Sequence, residues 1–109
     1  MTEPRSGAEP SVGASFEVLK DQRARVVGVL DFDTVTGLLA PGSAAIGSGE
    51  AAVIDLGGVT SSDSAGLALL IEWLSVAREA GRKLRYENVS SQIKQLAGLS
   101  EVDELLLPV

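Results

Sequence analysis

Apolar and polar residues alternate in two short stretches near the start of the chain, and this pattern predicts a β-hairpin. In "SFEVLK", which begins at Ser15, Phe16 and Val18 flank Glu17. The stretch "ARVVGVL" over residues 24–30 is apolar and β-branched, and "DQR" separates it from the first stretch. Short runs of this kind on either side of a polar segment are typical of paired strands.

Two more strands are predicted downstream. The run "EAAVIDL" at residues 50–56 is continuously apolar apart from its charged Glu50 and Asp55, and Gly-rich sequence bounds it on both sides. Such a run is typical of a strand that is buried on both faces, near the middle of a sheet. The following "GGVTSS", which includes Gly57 and Gly58, is predicted as a turn. Residues 83–89, "KLRYENV", alternate apolar and charged positions and predict another strand.

The clearest helical pattern lies between these two strands. Its apolar positions follow the i, i+3, i+4, i+7 spacing of a core-facing helix, namely Leu67, Leu70, Ile71, Leu74 and Ala77. Gly81 is predicted to end this helix. A shorter capped helix is predicted in "SSQIKQLAGL", with Gly98 at its end.

An earlier helix is predicted through "TVTGLLAPGSAAI", with Asp31 or Asp33 as its N-cap. Gly37, Pro41 and Gly42 are poor helix residues, so we expect this helix to end or kink near Ala40. The element order is then β-β-α-β-α-β-α, which predicts an α/β domain with a mixed sheet of about four to five strands and helices packed on it. The connection between the last two strands is expected to be a right-handed crossover.

The apolar content assigns residues 15–109 to one domain and residues 1–14 to a flexible tail, because the tail is rich in Pro, Gly and Ser. The sequence contains no His and no Cys, which excludes imidazole bases, thiolate nucleophiles and the usual zinc ligands. A net charge of −6 disfavours nucleic acid and anionic lipid as partners. Because no apolar span and no signal-like N-terminus is visible, a cytoplasmic location is predicted.

The segment "TSSDSAG", residues 60–66, leads into the main helix, and its role has three possible interpretations. As a nucleophile elbow it has Ser62 in place of the first Gly, and Ser64 has no evident base. As a phosphate cradle it lacks the Lys and the spacing of the known loops, and Asp63 would repel an anion. The plainer reading is that Ser62 or Asp63 caps the helix, while Gly66 allows close packing.

The helix after this segment is apolar over an unusually wide arc. On a helical wheel its exposed side contains Ser64, Ala68 and Glu72, whereas Leu69 and Trp73 widen the apolar surface beyond the core stripe. A helix of this kind is either deeply covered or meets a partner. Trp73 is accordingly either a core residue or an interface anchor.

These residues resemble the STAS domains, a family that includes anti-sigma factor antagonists and cytoplasmic domains of sulfate transporters. The resemblance spans residues 15–107 and rests on "GVLD" (28–31), "VIDLGGVTSSDSAGLALL" (53–70) and "LAGLSEVDEL" (96–105). In the antagonists a kinase phosphorylates the hydroxyl residue directly before the motif's Gly. Here that residue is Ala65, which cannot accept phosphate. Ser64 and Ser62 are still possible phosphorylation sites, so a weaker form of this phosphorylation-dependent regulation stays open.

"DSAGLALL" is closer to the STAS subunits of Mla-type phospholipid ABC transporters. This resemblance implies a non-enzymatic subunit without cofactor or metal that binds the transporter's cytoplasmic ATPase and, through it, the permease complex at the inner membrane. It would support the ATPase's assembly and activity and help to maintain outer-membrane lipid asymmetry. The alternative is an anti-sigma factor antagonist. The predicted partner-binding residues are Asp31, Ser61, Ser62, Asp63, Ser64, Ala65 and Ala68, with Gly57, Gly58 and Gly66 shaping the turn.

Overall fold

The structure, a computed structural model, describes residues 13–100. The elements follow in the order β1 (Ala14–Val18), β2 (Arg23–Leu30), α1 (Phe32–Ser48), β3 (Val53–Ser62), α2 (Ser64–Glu79), β4 (Arg85–Glu87) and α3 (Ser91–Leu99). The predicted element order is therefore confirmed. Residues 1–12 of the predicted tail and the end of "LAGLSEVDEL" lie outside the described residues.

The four strands form one mixed sheet in the order β1-β2-β3-β4. The predicted hairpin is confirmed, because β1 and β2 pair antiparallel, with Ala14 opposite Gly28 and Val18 opposite Ala24. The pairs β2–β3 and β3–β4 are parallel. Parallel neighbours need a crossover between them, and α1 and α2 supply the two crossovers.

The prediction that the first helix ends or kinks near Ala40 is wrong about its end, because α1 continues through Pro41 to Ser48. Pro41 costs the helix one hydrogen bond, since its nitrogen cannot donate to the carbonyl of Gly37. The turns beyond Pro41 nevertheless bury Ala45 and Ile46 in the core. Burial of these side chains favours a continuous helix over the break that intrinsic propensity predicts.

The predicted turn at "GGVTSS" is also wrong, because β3 extends to Ser62 and includes Gly57 and Gly58. β2 supplies a parallel partner over this whole length, and its last residue, Leu30, pairs with Ser62. Two register shifts in the β2–β3 ladder accommodate the irregular, Gly-rich part of the strand. The strand therefore ends directly at the start of α2.

The three helices form one layer, since α1 packs on α2 and α2 packs on α3. Trp73 lies at the centre of this layer and is fully buried, which settles it as a core residue. Its indole Nε1 donates to the carbonyl of Leu39 at 3.3 Å, and its ring lies 5.5 Å from the ring of Phe16. Within residues 13–100, no helix has both the length and the apolar character needed to cross a membrane.

Candidate functional site

The candidate site lies at the edge of the sheet where β2 and β3 end side by side. The helix α1 begins directly after β2, and α2 begins directly after β3. The backbone N–H of Asp63 donates to the carbonyl of Leu30 at 3.0 Å and joins the two strand ends. The first turns of both helices are therefore neighbours on one edge of the molecule. We call this region the docking corner, defined by Asp31, Phe32, Asp63, Ser64, Ala65 and Ala68.

Asp31 is the N-cap of α1, one of the two caps that the sequence allows. Its carboxylate Oδ1 accepts hydrogen bonds from the backbone N–H groups of Asp33 at 2.9 Å and Thr34 at 3.0 Å. Thr34 completes a capping box, because its Oγ1 accepts from the Asp31 N–H at 2.9 Å. The same hydroxyl donates to the carbonyl of Val29 at 2.8 Å. These bonds hold the first turn of α1 against the end of β2.

Asp63 caps α2, which decides between Asp63 and Ser62 as the predicted cap. Its Oδ1 accepts from the N–H of Ala65 at 2.8 Å and, at a longer 3.4 Å, from the N–H of Gly66. The residue itself is exposed. A carboxylate at this position also interacts favourably with the positive end of the helix dipole. Asp63 is thus a structural residue that is also exposed at the surface of the corner.

Ser62 and Gly66 form the inner side of the corner. The Ser62 side chain is buried, its Oγ donates to the carbonyl of Asp63 at 3.1 Å, and its N–H donates to Oε1 of Gln92 at 2.8 Å. The predicted role of Ser62 as a partner-contacting residue does not fit this burial. A Cβ at Gly66 would lie 2.7 Å from Cβ of Leu30, so α2 begins in close contact with β2. Gly66 has the packing role that the sequence predicts.

The outer side of the corner consists of small residues. Ser64 is the first residue of α2 and is exposed, Ala68 is exposed one turn later, and Ala65 is half-buried. Ser61 lies within β3, opposite Val29, and is half-buried. A surface of hydroxyl and methyl groups has low relief, so a partner's backbone or helix can approach it closely. Of the predicted partner residues, Asp63, Ser64 and Ala68 are exposed.

Sequence reasoning missed one prominent residue of the corner. Phe32, the first residue of α1, leaves 79% of its surface exposed, and it directly follows the Asp31 cap. Phe32 does not fall on the helical face shared by the buried residues Thr34, Leu38 and Ala45, and that face is known only from how α1 packs in the structure. An exposed aromatic side chain beside capped helix ends adds an apolar contact to an otherwise polar corner.

The charged residues at the corner are acidic. No Lys or Arg occurs between Asp31 and Ala77, whereas the same stretch contains acidic residues, namely Asp31, Asp33, Glu50, Asp55, Asp63 and Glu72. Three of the arginines lie on the strands and pair there: Arg25 with Glu17 at 2.7 Å, Arg85 with Glu87 at 2.8 Å, and Arg23 with Glu87. The starts of α1 and α2, with their caps, therefore carry only negative charge, whereas Arg78 in the last turn of α2 and Arg82, which donates to the Gly47 carbonyl, lie at the other end of the two helices.

The pKa shifts lie away from the corner. The pKa of Asp55 is lowered by hydrogen bonds from the Asn88 side chain and the Gly57 N–H. The pKa of Glu87 is lowered by hydrogen bonds from Arg85 and Arg23. These carboxylates lie on β3 and β4 and are satisfied by strand neighbours, so they act in the sheet. Among residues 13–100, no group of three or more His, Cys, Asp or Glu side chains is placed to hold a metal ion.

The fold and the capped corner define the class of protein. A mixed sheet covered by three helices in the order β-β-α-β-α-β-α is the STAS fold. A family model described as "Mlab, STAS domain" matches residues 17–108, and the chain belongs to this family of STAS domains. Members of the STAS family are generally non-catalytic regulatory proteins that interact with partner proteins.

Two matching solved structures have the same fold. One is the anti-sigma factor antagonist SpoIIAA in its unphosphorylated form, with a TM-score of 0.66 and 18% identity over 88% of this chain and 87% of that one. The other is the Bacillus cell fate determinant SpoIIAA in the phosphorylated form, with a TM-score of 0.64 and 18% identity over 88% and 90% of the two chains. At this identity the likeness shows the fold alone. No curated protein matches the chain.

Proposed function

We propose that this chain is the STAS subunit of an Mla-type phospholipid ABC transporter and that its docking corner binds the transporter's ATPase subunit. In this role it supports the assembly and activity of the ATPase and contributes to outer-membrane lipid asymmetry. It works in the cytoplasm, peripheral to the inner membrane through its partner. The family match and the resemblance of "DSAGLALL" to the motif of these subunits support this assignment.

The observation that carries the proposal is the identity of residue 65. Ala65 precedes Gly66 at the position where the antagonists have their phosphoacceptor, and alanine has no hydroxyl. Phosphorylation at that position adds about −1.5 to −2 charges and switches binding off. A chain with alanine there cannot be switched by phosphorylation at that position. The corner is therefore suited to permanent membership of a complex.

Ser64 is the central polar group of the proposed interface. It is exposed at the first position of α2, with the small Ala68 one turn further on. Its hydroxyl can donate or accept one hydrogen bond to a partner that has come close. A longer or charged side chain at this point prevents close approach. The small residues on the α2 side of the corner, Ser64, Ala65 and Ala68, fit such close approach.

An anti-sigma factor antagonist is the second candidate, because SpoIIAA, an antagonist of this kind, has the same fold. In that case the partner is a GHKL-type kinase, and Ser64 is the nearest exposed hydroxyl to the usual phosphoacceptor position. The two candidates therefore predict different partners for the same corner. They also differ in whether the chain is phosphorylated in the presence of ATP.

The deciding experiment offers the purified chain to both partner classes. An Mla-type ATPase and a GHKL-type anti-sigma kinase from the same genome are each immobilised, and binding and phosphorylation are measured with and without ATP. The transporter role predicts a stable complex with the ATPase and no phosphoryl transfer to the chain. Binding to the kinase alone, or phosphorylation of Ser64, contradicts it.

A further inference from the structure

The outward face of α1 differs from an ordinary solvent-facing helix surface. Over its 17 residues the only charged side chain is Asp33. Phe32 and Leu39 are large apolar residues with 79% and 41% of their surface exposed. Together with the exposed Thr36 they follow the i, i+4, i+7 spacing of one helical face. Isolated exposed apolar residues are common, but an aligned and nearly uncharged face indicates contact with another molecule.

This face borders the docking corner. The helices α1 and α2 are in contact where Trp73 donates to the Leu39 carbonyl and where its ring covers Gly42. On α2, Ala65, Ala68 and Glu72 share one helical face, with Ala65 half-buried and the other two exposed. The two faces therefore lie on either side of the line along which α1 and α2 pack, and we call this line the α1–α2 groove.

The charges around the groove define what it can bind. Asp33 lies beside Phe32, Asp63 caps α2, and Glu72 is on the α2 side, while no Lys or Arg occurs between Asp31 and Ala77. A partner segment that is itself acidic or uncharged would have no favourable long-range interaction here. Complementary charge speeds encounter and fixes orientation, while a central aromatic contact supplies most of the affinity.

We propose that the docking corner continues along α1 and that this α1–α2 groove receives a helix of the ATPase that presents an apolar side chain flanked by Lys or Arg. The inference rests on the proposed function and specifies how the partner is recognised. The small Ser64 lets the partner approach closely, Phe32 and Leu39 supply the apolar contact, and the acidic residues attract the basic flanks.

The first test compares two exposed apolar residues. Binding of the purified ATPase is measured for the full chain and for Phe32→Ser and Leu99→Ser, with far-ultraviolet circular dichroism as the check of folding. Leu99 is 84% exposed and lies on α3, which makes it the matched control. We expect Phe32→Ser to weaken binding at least about tenfold, as the loss of a central aromatic contact does. Leu99→Ser is expected to bind within about twofold of the unmodified chain.

The second test compares two glutamates on α2. Glu72 and Glu79 are both exposed and lie seven positions apart on the same helical face, with only Glu72 beside the groove. Glu72→Lys should slow association several-fold and reduce its dependence on salt, whereas Glu79→Lys should have a much smaller effect.

The outcomes separate the inference from the proposed function. If the unmodified chain does not bind the ATPase, both fail. If Ser64→Arg abolishes binding but Phe32→Ser and Glu72→Lys leave it intact, the α2 side of the docking corner stands, Phe32 lies outside the interface and the α1–α2 groove is wrong. Self-association of the chain that Phe32→Ser removes would show that a second copy fills the groove, and would also overturn the proposal.

Discussion

Gly42 lies against the face of Trp73, and this pair connects α1 to α2. A Cβ at Gly42 would lie 2.7 Å from the indole Nε1, closer than real contacts allow. The indole is fully buried and donates its N–H to the Leu39 carbonyl, so it has little room to move. The absence of one methyl group therefore sets how closely the two helices of the docking corner approach each other.

This relationship predicts opposite effects for two Gly→Ala substitutions in the same helix. Gly42→Ala should lower the free energy of unfolding by about 1–3 kcal/mol, because it overpacks the core. Gly47→Ala has open space at its Cβ and should raise the free energy of unfolding by up to about 1 kcal/mol, because alanine is the better helix residue. Urea denaturation of both variants checks this. Equal effects of the two substitutions would contradict the packing described here.

The cap at Asp63 predicts a specific loss of stability. Asp63→Ala removes the acceptor of the Ala65 and Gly66 N–H groups and should cost about 0.5–2 kcal/mol in unfolding free energy. Asp63→Asn retains an acceptor and should cost less. Asp33, an exposed acidic residue whose side chain is not a cap, is the control, and Asp33→Ala should change stability only slightly. Chemical denaturation at neutral pH distinguishes the variants.

Asp55 predicts part of the acid sensitivity of the fold. Asn88 Nδ2 donates to its carboxylate at 2.9 Å and the Gly57 N–H donates at 2.8 Å, and these bonds lower the pKa of Asp55 below its ordinary value of 3.8. Because the folded pKa is the lower one, this stabilisation is present at neutral pH. It is lost as the pH falls below about 3.8 and through the folded pKa.

Asn88→Gly tests the origin of this shift. Asn88 has a φ of +57°, which glycine adopts without strain, so the substitution removes the side chain but keeps the backbone. We expect the pKa of Asp55 to rise toward 3.8 when it is followed by carboxyl NMR titration. Glu87 is the internal control, because its pKa is lowered by Arg85 and Arg23 and should stay low. An unchanged pKa for Asp55 would show that Asn88 is not the cause.

Tyr86 predicts that the fold also loses stability at alkaline pH. Its hydroxyl donates to the Leu70 carbonyl at 2.6 Å, and burial raises its pKa well above 10.0. With the folded pKa raised, the stabilisation is present below about pH 10 and is lost as the pH rises through the folded pKa. Tyr86 is the only tyrosine, so an absorbance titration reports on it alone. Tyrosinate should appear together with unfolding; its appearance in a folded chain would contradict the burial.

Tyr86→Phe measures the hydrogen bond itself. The substitution removes the hydroxyl but keeps the ring, so the expected loss of unfolding free energy is about 0.5–1.5 kcal/mol. Its far-ultraviolet circular dichroism should match that of the unmodified chain. A loss as large as that of a cavity-forming substitution would mean that the ring had also moved.

The sequence predicted those elements that depend on local pattern. The hairpin and α2 followed from periodicity, because Phe16, Val18 and the Leu67–Ala77 stripe repeat at the spacing of their element. The end of α1 and the length of β3 did not follow in this way. Pro41 is tolerated because Ala45 and Ile46 are buried beyond it, and β3 reaches Ser62 because distant β2 pairs with it. Both depend on contacts between segments far apart in sequence.

The candidate site likewise has features that the sequence predicts and features that only the structure shows. A cap at each helix start was predictable from residue type and position, but the choice of Asp31 over Asp33 and of Asp63 over Ser62 came from the structure. The burial of Ser62 was not predictable, since it depends on the pairing of Ser62 with Leu30 of β2 and on the close contact of its Oγ with Gly66. The exposure of Phe32 depends on which face of α1 packs on the sheet. Which residues of a motif remain accessible is decided by tertiary packing.

The most direct test of the central claim is the affinity of the purified ATPase for two Ser→Arg variants. Ser64 lies in the docking corner, and Ser15, which is exposed on β1 and alternates with the inward-packed Phe16, is the matched control. We predict that Ser64→Arg weakens binding at least about hundredfold, as a bulky charge at an interface centre does. Ser15→Arg should bind normally, and Ser64→Ala should lose only about 0.5–1.5 kcal/mol. A folded Ser64→Arg that binds the ATPase with unchanged affinity would contradict the account.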